Sequence, residues 1–401
     1  MISNKISSEL KYYLYIIFTN LRFTRIINVI FIVQFLGLSL VQFAFFQSIF
    51  LFSQLISEVP SGILGDRFSK KKIVIVGLVL LSITPLLTFS SNLVTDEYVY
   101  YIILCSFVLE GVGNAFLSGA DDALFFESLR SEGKEESYGK IRGKLQLISA
   151  LTLGLATFVG GGLYGITRYL PYIIQSLTLL GSMIIIISIP ENQKYTRDDF
   201  NQNEGSKFKD LLSVFHRMLQ SSRILFMFVF TTVIVSTINV VFALLPDYFS
   251  RIGFSTSFNG AIFMAYSIIG GIVATQAYKI SKIRVSKLIL LISLILMVSI
   301  VFQIIPFNST FILSFLLLYI IIDILDPIIM EMLHLWVDDN FRATVISGLS
   351  FSISLVTMLI NPVIGMGIQL FNLKMTVLMI SLFIVVMILI SYVLIEKTKK
   401  R

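Results

Sequence analysis

The chain has 401 residues, 56% of them hydrophobic and 14% charged, with a mean hydropathy of +0.88. No soluble domain has an interior that needs so much apolar surface, and the long apolar runs recur from end to end. Spanning a bilayer takes about 20 mostly apolar residues, so these runs read as a set of membrane helices. A β-barrel is excluded, because it would show short alternating segments instead. The net charge of +7 raises nucleic acid as a partner, but the placement of the bases points elsewhere.

In chain order, span 1 is predicted over roughly 12–35, interrupted by Arg22 and Arg25. A charge-free turn at Gly37–Leu40 leads to span 2, about 41–61, and span 3 covers about 73–92. Span 4 runs about 98–118 and passes into an acidic stretch with Asp121, Asp122 and Glu127, then a polar segment to about 142. Spans 5 (about 145–165) and 6 (about 170–189) close the first half. From Pro190 to Ser222 the composition turns to Asn, Gln, Lys, Asp and Glu, and this reads as a linker, with an amphipathic surface stretch at Phe208–Leu219. Spans 7 to 12 follow at about 223–246, 257–279, 286–305, 309–335, 343–367 and 373–395. The expected fold is therefore all-α and membrane-integral. Twelve helices form two six-helix bundles, 1–189 and 223–401, joined by 190–222.

Orientation follows from the bases. With the N-terminus in the cytoplasm, Arg168, Arg251 and Lys374 fall outside and Arg22 and Arg25 lie within span 1; every other Lys and Arg falls on the inner side. Both termini are expected to be cytoplasmic in a plasma-membrane protein, and the positive balance reports topology, not nucleic acid. No signal-peptide pattern precedes span 1, which is expected to be retained. Cys105 is the single cysteine and lies inside a span, so an intramolecular disulfide is impossible. No zinc spacing, Walker loop or dinucleotide fingerprint is present, and neither a metal nor a cofactor is expected. No nucleophile–base pair suggests an enzyme.

The densest motif lies between spans 2 and 3. Gly62 and Gly65 sit where the two helices would meet, and Asp66, Arg67, Lys70, Lys71 and Lys72 crowd a very short connection. The glycines are expected to let backbones approach closely, and Asp66 to bridge a helix end or a base. The bases could equally do no more than set topology. The pattern Gly62-x-Leu64-x-Asp66-Arg67-x-x-Lys70-Lys71-x-x-Val74 resembles the signature of this loop in the major facilitator superfamily. It departs from it at Ser69, where the family has glycine, and at Gly65, where alanine is usual. The resemblance implies a transporter whose 2–3 loop locks one state of an alternating-access cycle. The two halves of the chain also resemble each other. The basic Lys279–Lys287 connection stands in the place of the 2–3 loop, spans 4 and 10 each carry an acid in mid-span (Glu110, Asp323), and Arg142 and Arg342 each open the next span.

Charges at membrane depth are costly and each is a functional hypothesis by default. At 1.5 Å per residue, Arg22 lies roughly 15 Å into span 1, with Glu110, Asn239 and Asp323 at similar depth and Asp326 one turn further. The superfamily resemblance implies that spans 1, 4, 7 and 10 bring these together as a substrate and proton pathway of Arg22, Glu110, Asn114, Asn239, Asp323 and Asp326. A structural alternative stands beside each: Arg22 and Arg25 snorkelling, Glu110 a neutral carboxyl, Asp326 serving the backbone before Pro327. Gly111, Gly113 and Asn114 resemble the tail of the family's span 4 motif, whose membrane arginine is Phe107 here. From that gap, Arg22 is expected to replace the missing base and to pair with Glu110. Gly160, Gly161 and Gly162 resemble the span 5 motif of drug–proton antiporters, without its proline; helix packing explains them as well. The resulting reading is a monomeric, proton-coupled exporter of a small amphipathic or drug-like solute. The alternative is a proton-coupled importer of an anionic metabolite, with a channel or a membrane enzyme as remote third possibilities.

Overall fold

A computed structural model describes residues 7–134, 137–189, 222–281, 285–337 and 339–399. The predicted linker and its amphipathic stretch lie almost entirely outside them, as do the side chains of Asp66, Arg67 and Arg342. Thirteen helices account for nearly all of the described chain. The first group is α1 (Ser8–Asn20), α2 (Ile27–Ile30), α3 (Leu40–Arg67), α4 (Lys70–Ser90), α5 (Asp96–Leu117), α6 (Ala120–Ser131), α7 (Tyr138–Ile166) and α8 (Leu170–Ile187). The second is α9 (Ser222–Arg251), α10 (Thr256–Ser281), α11 (Val285–Ile304), α12 (Asn308–Trp336) and α13 (Asp339–Lys399).

Ten of these helices are individually long and apolar enough to cross a bilayer, and two local features bring the count to twelve. The first is span 1, whose backbone breaks where Arg22 and Arg25 interrupt its apolar run. α1 stops at Asn20, Leu21–Ile26 is non-helical, and the chain resumes as α2 and a π-helical turn, Phe31–Phe35. Neither half is long enough to span alone. The second feature is α13, whose 61 residues would reach about 90 Å as one rod. Asn372, at φ 67° and ψ 167°, breaks it, and the chain folds back so that Gly367 faces Thr376 Cγ2. The predicted spans 11 and 12 are its two arms.

Two compact units divide the chain: Met1–Asn201 with Pro246–Ser267, and Gln202–Leu245 with Ile268–Arg401. Hydrocarbon tails are as apolar as leucine, so helices here associate through close packing and hydrogen bonds. In the first unit, Ser61 Oγ donates to the Ala115 carbonyl (2.9 Å), Ser106 Oγ to the Thr84 carbonyl (3.0 Å) and Ser176 Oγ to the Ser82 carbonyl (2.7 Å). Those bonds stitch α5 to α3 and α4, and α8 to α4. In the second unit, Gln303 Nε2 donates to Ser299 Oγ and Ser381 Oγ (both 3.1 Å), Ser299 Oγ to the Ser314 carbonyl (3.0 Å) and Ser236 Oγ to the Ile353 carbonyl (3.0 Å). Leu147, Leu151, Leu155 and Phe158 form an exposed stripe at helical spacing on α7, which is how a lipid-facing helix surface reads.

The loop motif is shorter than its sequence suggests. α3 runs through Gly62, Gly65, Asp66 and Arg67, and Phe68 and Ser69 alone separate it from α4. Close backbone approach at Gly62 and Gly65 is not found: a Cβ at either position would meet no described atom within 4 Å. The three lysines open α4, where the helix dipole disfavours positive charge, and two of them find compensation. Lys70 pairs with Glu127 of α6, while Lys71 Nζ donates to the Ile187 and Ile189 carbonyls (2.5 and 2.8 Å) at the end of α8.

Candidate solute cavity

The span 4 motif is best understood from its spacing. Gly111 and Gly113 point to different sides of α5, whereas Glu110 and Asn114, four residues apart, share a face. A Cβ on Gly111 would fall against the Phe50 carbonyl and 2.8 Å from Ser53 Cβ of α3. One on Gly113 would lie 2.8 Å from Leu81 Cγ of α4. Two helices therefore pack tightly on two sides of α5 because side chains are missing there, and the Glu110–Asn114 face is left toward an open space. That space is a cavity of about 380 Å³, lined by Arg22, Glu110, Asn114, Asp121, Gln175 and Tyr15 among others.

Arg22 enters the cavity from the break in span 1. Unwound backbone at membrane depth persists where it lines a cavity or is buried in protein, and here both conditions hold. Gly160 of α7 makes room for the break: a Cβ there would collide with the Phe23 carbonyl. Across from it, Gln175 Oε1 of α8 accepts hydrogen bonds from the Thr24 amide and the Thr24 hydroxyl, each 2.9 Å. Gly161 in turn receives the Thr256 backbone, and Thr256 Oγ1 donates to the Gly161 carbonyl at 2.7 Å. Gly160 and Gly161 are thus occupied by backbone packing.

The expected Arg22–Glu110 ion pair is not formed. Arg22 Nη2 donates instead to Asn114 Oδ1 at 3.4 Å, and Asn114 Nδ2 donates to the Glu110 carbonyl at 2.8 Å. Because Asn114 shares a face with Glu110, the guanidinium reaches the right wall of the cavity one turn away from the carboxylate, and its charge acts on Glu110 through space. No described residue makes a hydrogen bond or ion pair to the Glu110 carboxylate.

Sequence reasoning missed the mouth of this cavity. α5 and α6 meet at Gly119, whose φ of +77° is left-handed backbone suited to glycine, and this turn swings Asp121 and Asp122 to the cavity edge. Tyr15 donates to Asp121 Oδ2 at 3.0 Å, and Asp122 accepts from Tyr12 and from Arg142 Nη1, the latter at 2.6 Å. Tyr12 stacks on Phe125 with centroids 4.1 Å apart. Beyond α6, Glu132 accepts from the Ser8 amide (3.0 Å) and hydroxyl (2.5 Å). Partial burial pushes the Glu132 carboxyl up, but the two bonds from Ser8 and the nearby Lys134 outweigh it and hold it below its ordinary value. The available signals were Tyr12 and Tyr15 at helical spacing in span 1 and Gln175 as a lone amide in an apolar span.

In the second unit, Asp323 of α12 seats its carboxylate against Gly270 of α10, where an added Cβ would overlap Oδ2 and lie 2.8 Å from Tyr319 Cε1. Asp326, one turn on, and Asn239 of α9 are exposed.

Membrane-length helices throughout the chain, with a polar cavity walled by those of the first unit, define a membrane carrier, not an enzyme. The chain belongs to the Major Facilitator Superfamily, whose family model matches residues 14–324. It is a multi-pass secondary transporter working by alternating access on a small-molecule substrate. Among solved structures, it is similar to the nucleoside transporter NupG, at 14% identity and TM-score 0.73, covering 97% of this chain and 98% of that one. It is also similar to a bacterial homologue of the human lysosomal transporter Spinster, at 13% identity and TM-score 0.71, covering 96% of each. The D-xylose–proton symporter aligns at 12% identity and TM-score 0.70, covering 94% of this chain and 97% of that one. No curated protein matches the sequence. At such identities these structures establish a shared fold alone.

Proposed function

We propose that this chain is a proton-coupled exporter of a small amphipathic solute that carries positive charge, acting as a monomer in the plasma membrane with both termini cytoplasmic. The repeats 1–189 and 223–401, joined by 190–222, would supply the two moving halves, and the 2–3 loop from Gly62 to Lys71, with Asp66 at its centre, would set the balance between states. The observation that carries this reading is Glu110, a carboxylate facing a 380 Å³ cavity without a hydrogen-bonding or ion-pairing partner among the described residues. A carboxylate in such a place holds either a proton or a cationic solute, and competition at one acid produces exchange. With protons driven inward, exchange exports the solute. Asp323, on its Gly270 seat, is the rival proton site in the second unit.

A second reading, import of an anionic solute, is favoured by Arg22. Among the described residues the one hydrogen bond of its guanidinium is the 3.4 Å contact to Asn114, leaving most of its fork of donors for a carboxylate or phosphate. The test uses everted vesicles with ethidium as cationic probe and succinate as anionic probe, with and without an imposed pH gradient. The proposal expects gradient-driven ethidium accumulation that Glu110→Gln abolishes, because proton and cation no longer compete for one carboxylate. Ethidium movement indifferent to the gradient, or succinate movement in its place, overturns it. Coupling kept in Glu110→Gln but lost in Asp323→Asn assigns the proton to the other unit.

A further inference from the structure

We infer that Gln175 is a positioning residue for Arg22: it pins the break in span 1 and thereby holds the guanidinium against the Glu110–Asn114 wall. The inference deepens the functional reading above and rests on its assignment of Arg22 and Glu110 to the cavity.

A continuous helix locates each residue by its own ladder of backbone hydrogen bonds. Between Leu21 and Ile26 that ladder is interrupted, and the remaining bonds are short-range turns, such as Arg22 amide to Asn20 carbonyl (2.8 Å) and Arg25 amide to Arg22 carbonyl (3.3 Å). Turns of this kind fix local shape but not where the segment sits within the bundle. Among the described residues, two external contacts flank Arg22 and contribute directly to its placement. On one side the Phe23 backbone abuts Gly160 of α7, which blocks movement in that direction. On the other, one oxygen of Gln175 takes both the amide and the hydroxyl of Thr24 (2.9 Å each). The amide of Thr24 is a backbone donor that the break has taken out of the helical ladder, and a buried donor of that kind requires a partner. Gln175, the one amide side chain of α8, supplies it and also lines the same cavity. With Thr24 pinned and Phe23 wedged, Arg22 has one place to go.

The consequence is electrostatic. The charged groups on this cavity are Arg22, Glu110, Asp121 and Asp122; Asp121 is engaged by Tyr15, and Asp122 by Tyr12 and Arg142. Arg22 is the cation that faces Glu110, and its long bond to Asn114 is not strong enough to hold it alone. Releasing Thr24 therefore moves the one positive charge among the described residues that line this cavity with Glu110, although Gln175 touches neither residue.

The test needs no transported solute. The thermal midpoint of the purified full-length protein is measured across pH 5–8 for wild type, Arg22→Gln, Gln175→Met, Thr24→Val and the Arg22→Gln/Gln175→Met double variant. Methionine matches glutamine in length and lacks the acceptor oxygen; Thr24→Val removes one of the two bonds and is the milder probe if Gln175→Met does not fold. The expected result is that Gln175→Met changes the shape of the pH profile in the same sense as Arg22→Gln, by at least about half as much, and that the double variant adds little to either. A Gln175→Met profile lowered uniformly and parallel to wild type shows a merely structural role and overturns the inference, as do fully additive effects. If Arg22→Gln itself leaves the profile unchanged, the assignment of Arg22 and Glu110 to one electrostatic unit fails, and this inference with it.

Discussion

Replacing Gly111 by alanine, and separately Gly62 and Gly65, should change stability in opposite directions. All three are helical glycines, and in a helix interior alanine is favoured over glycine by about 0.5–1 kcal/mol. At Gly62 and Gly65 nothing described lies within 4 Å of the added carbon, so the propensity gain is expected in full. At Gly111 the carbon meets the Phe50 carbonyl, Ser53 Cβ at 2.8 Å and the Gln54 amide nitrogen at 3.0 Å. Two of these are backbone atoms of α3, which cannot rotate away, so α3 and α5 must separate. Overpacking of that kind costs about 1–3 kcal/mol, which exceeds the propensity gain and leaves a net loss of roughly 1–2 kcal/mol. The separation also displaces Glu110 and Asn114 from the cavity wall. The assay is the thermal midpoint of the purified protein, where a change of about 1 kcal/mol corresponds to roughly 2 °C in a chain this large. Gly111→Ala should melt lower by a few degrees, and Gly62→Ala and Gly65→Ala should match or exceed wild type. A Gly111→Ala protein as stable as wild type would refute the close-packing account of the span 4 motif. A marked loss at Gly62 or Gly65 would show that those glycines pack after all.

Lys71→Met should loosen the end of α8, because its ammonium serves the Ile187 and Ile189 carbonyls; a cation at a helix C-terminus contributes about 0.3–1 kcal/mol, and amide exchange in 184–189 should accelerate without a change elsewhere. Glu132 has its carboxyl held below the ordinary value in the fold. Its stabilisation of the Ser8 end of α1 is therefore complete above the unfolded value of about 4.3 and fades as pH falls through the lower folded value. Acid-induced exposure of the Ser8 segment should accordingly be absent at neutral pH in wild type and already present in Glu132→Gln, as read by hydrogen exchange. Equal protection of Ser8 in the two proteins at neutral pH would show that the clasp contributes nothing.

Much of the architecture could be read along the chain because lipid imposes one simple rule. Apolar runs of adequate length must be helices that satisfy their own backbones, so the spans follow from hydropathy alone. Arg22, Glu110, Asn114 and Asp323 stood out for the same reason, as polar groups where hydrocarbon penalises them. The misreadings have a common origin. Gly62, Gly65, Gly111, Gly113, Gly160 and Gly161 look alike in a sequence, yet the first two face open space and the others meet the backbone or side chains of neighbouring helices. Glycine declares that no side chain is present; it does not say what fills the gap.

The sequence by itself therefore determined the class of protein and its span pattern, both of which depend on one-dimensional hydropathy and spacing. The tertiary structure decided the rest. It turned the interruption that Arg22 and Arg25 mark in span 1 into a backbone break at Leu21–Ile26, stabilised by Gln175 and Gly160 from helices more than a hundred residues away. It joined Arg22 to Asn114 instead of Glu110, and it brought Asp121 and Asp122 to the cavity mouth through the left-handed turn at Gly119. These are long-range hydrogen bonds and steric fits. They exist only once distant helices are packed together, and no local pattern of residues encodes them.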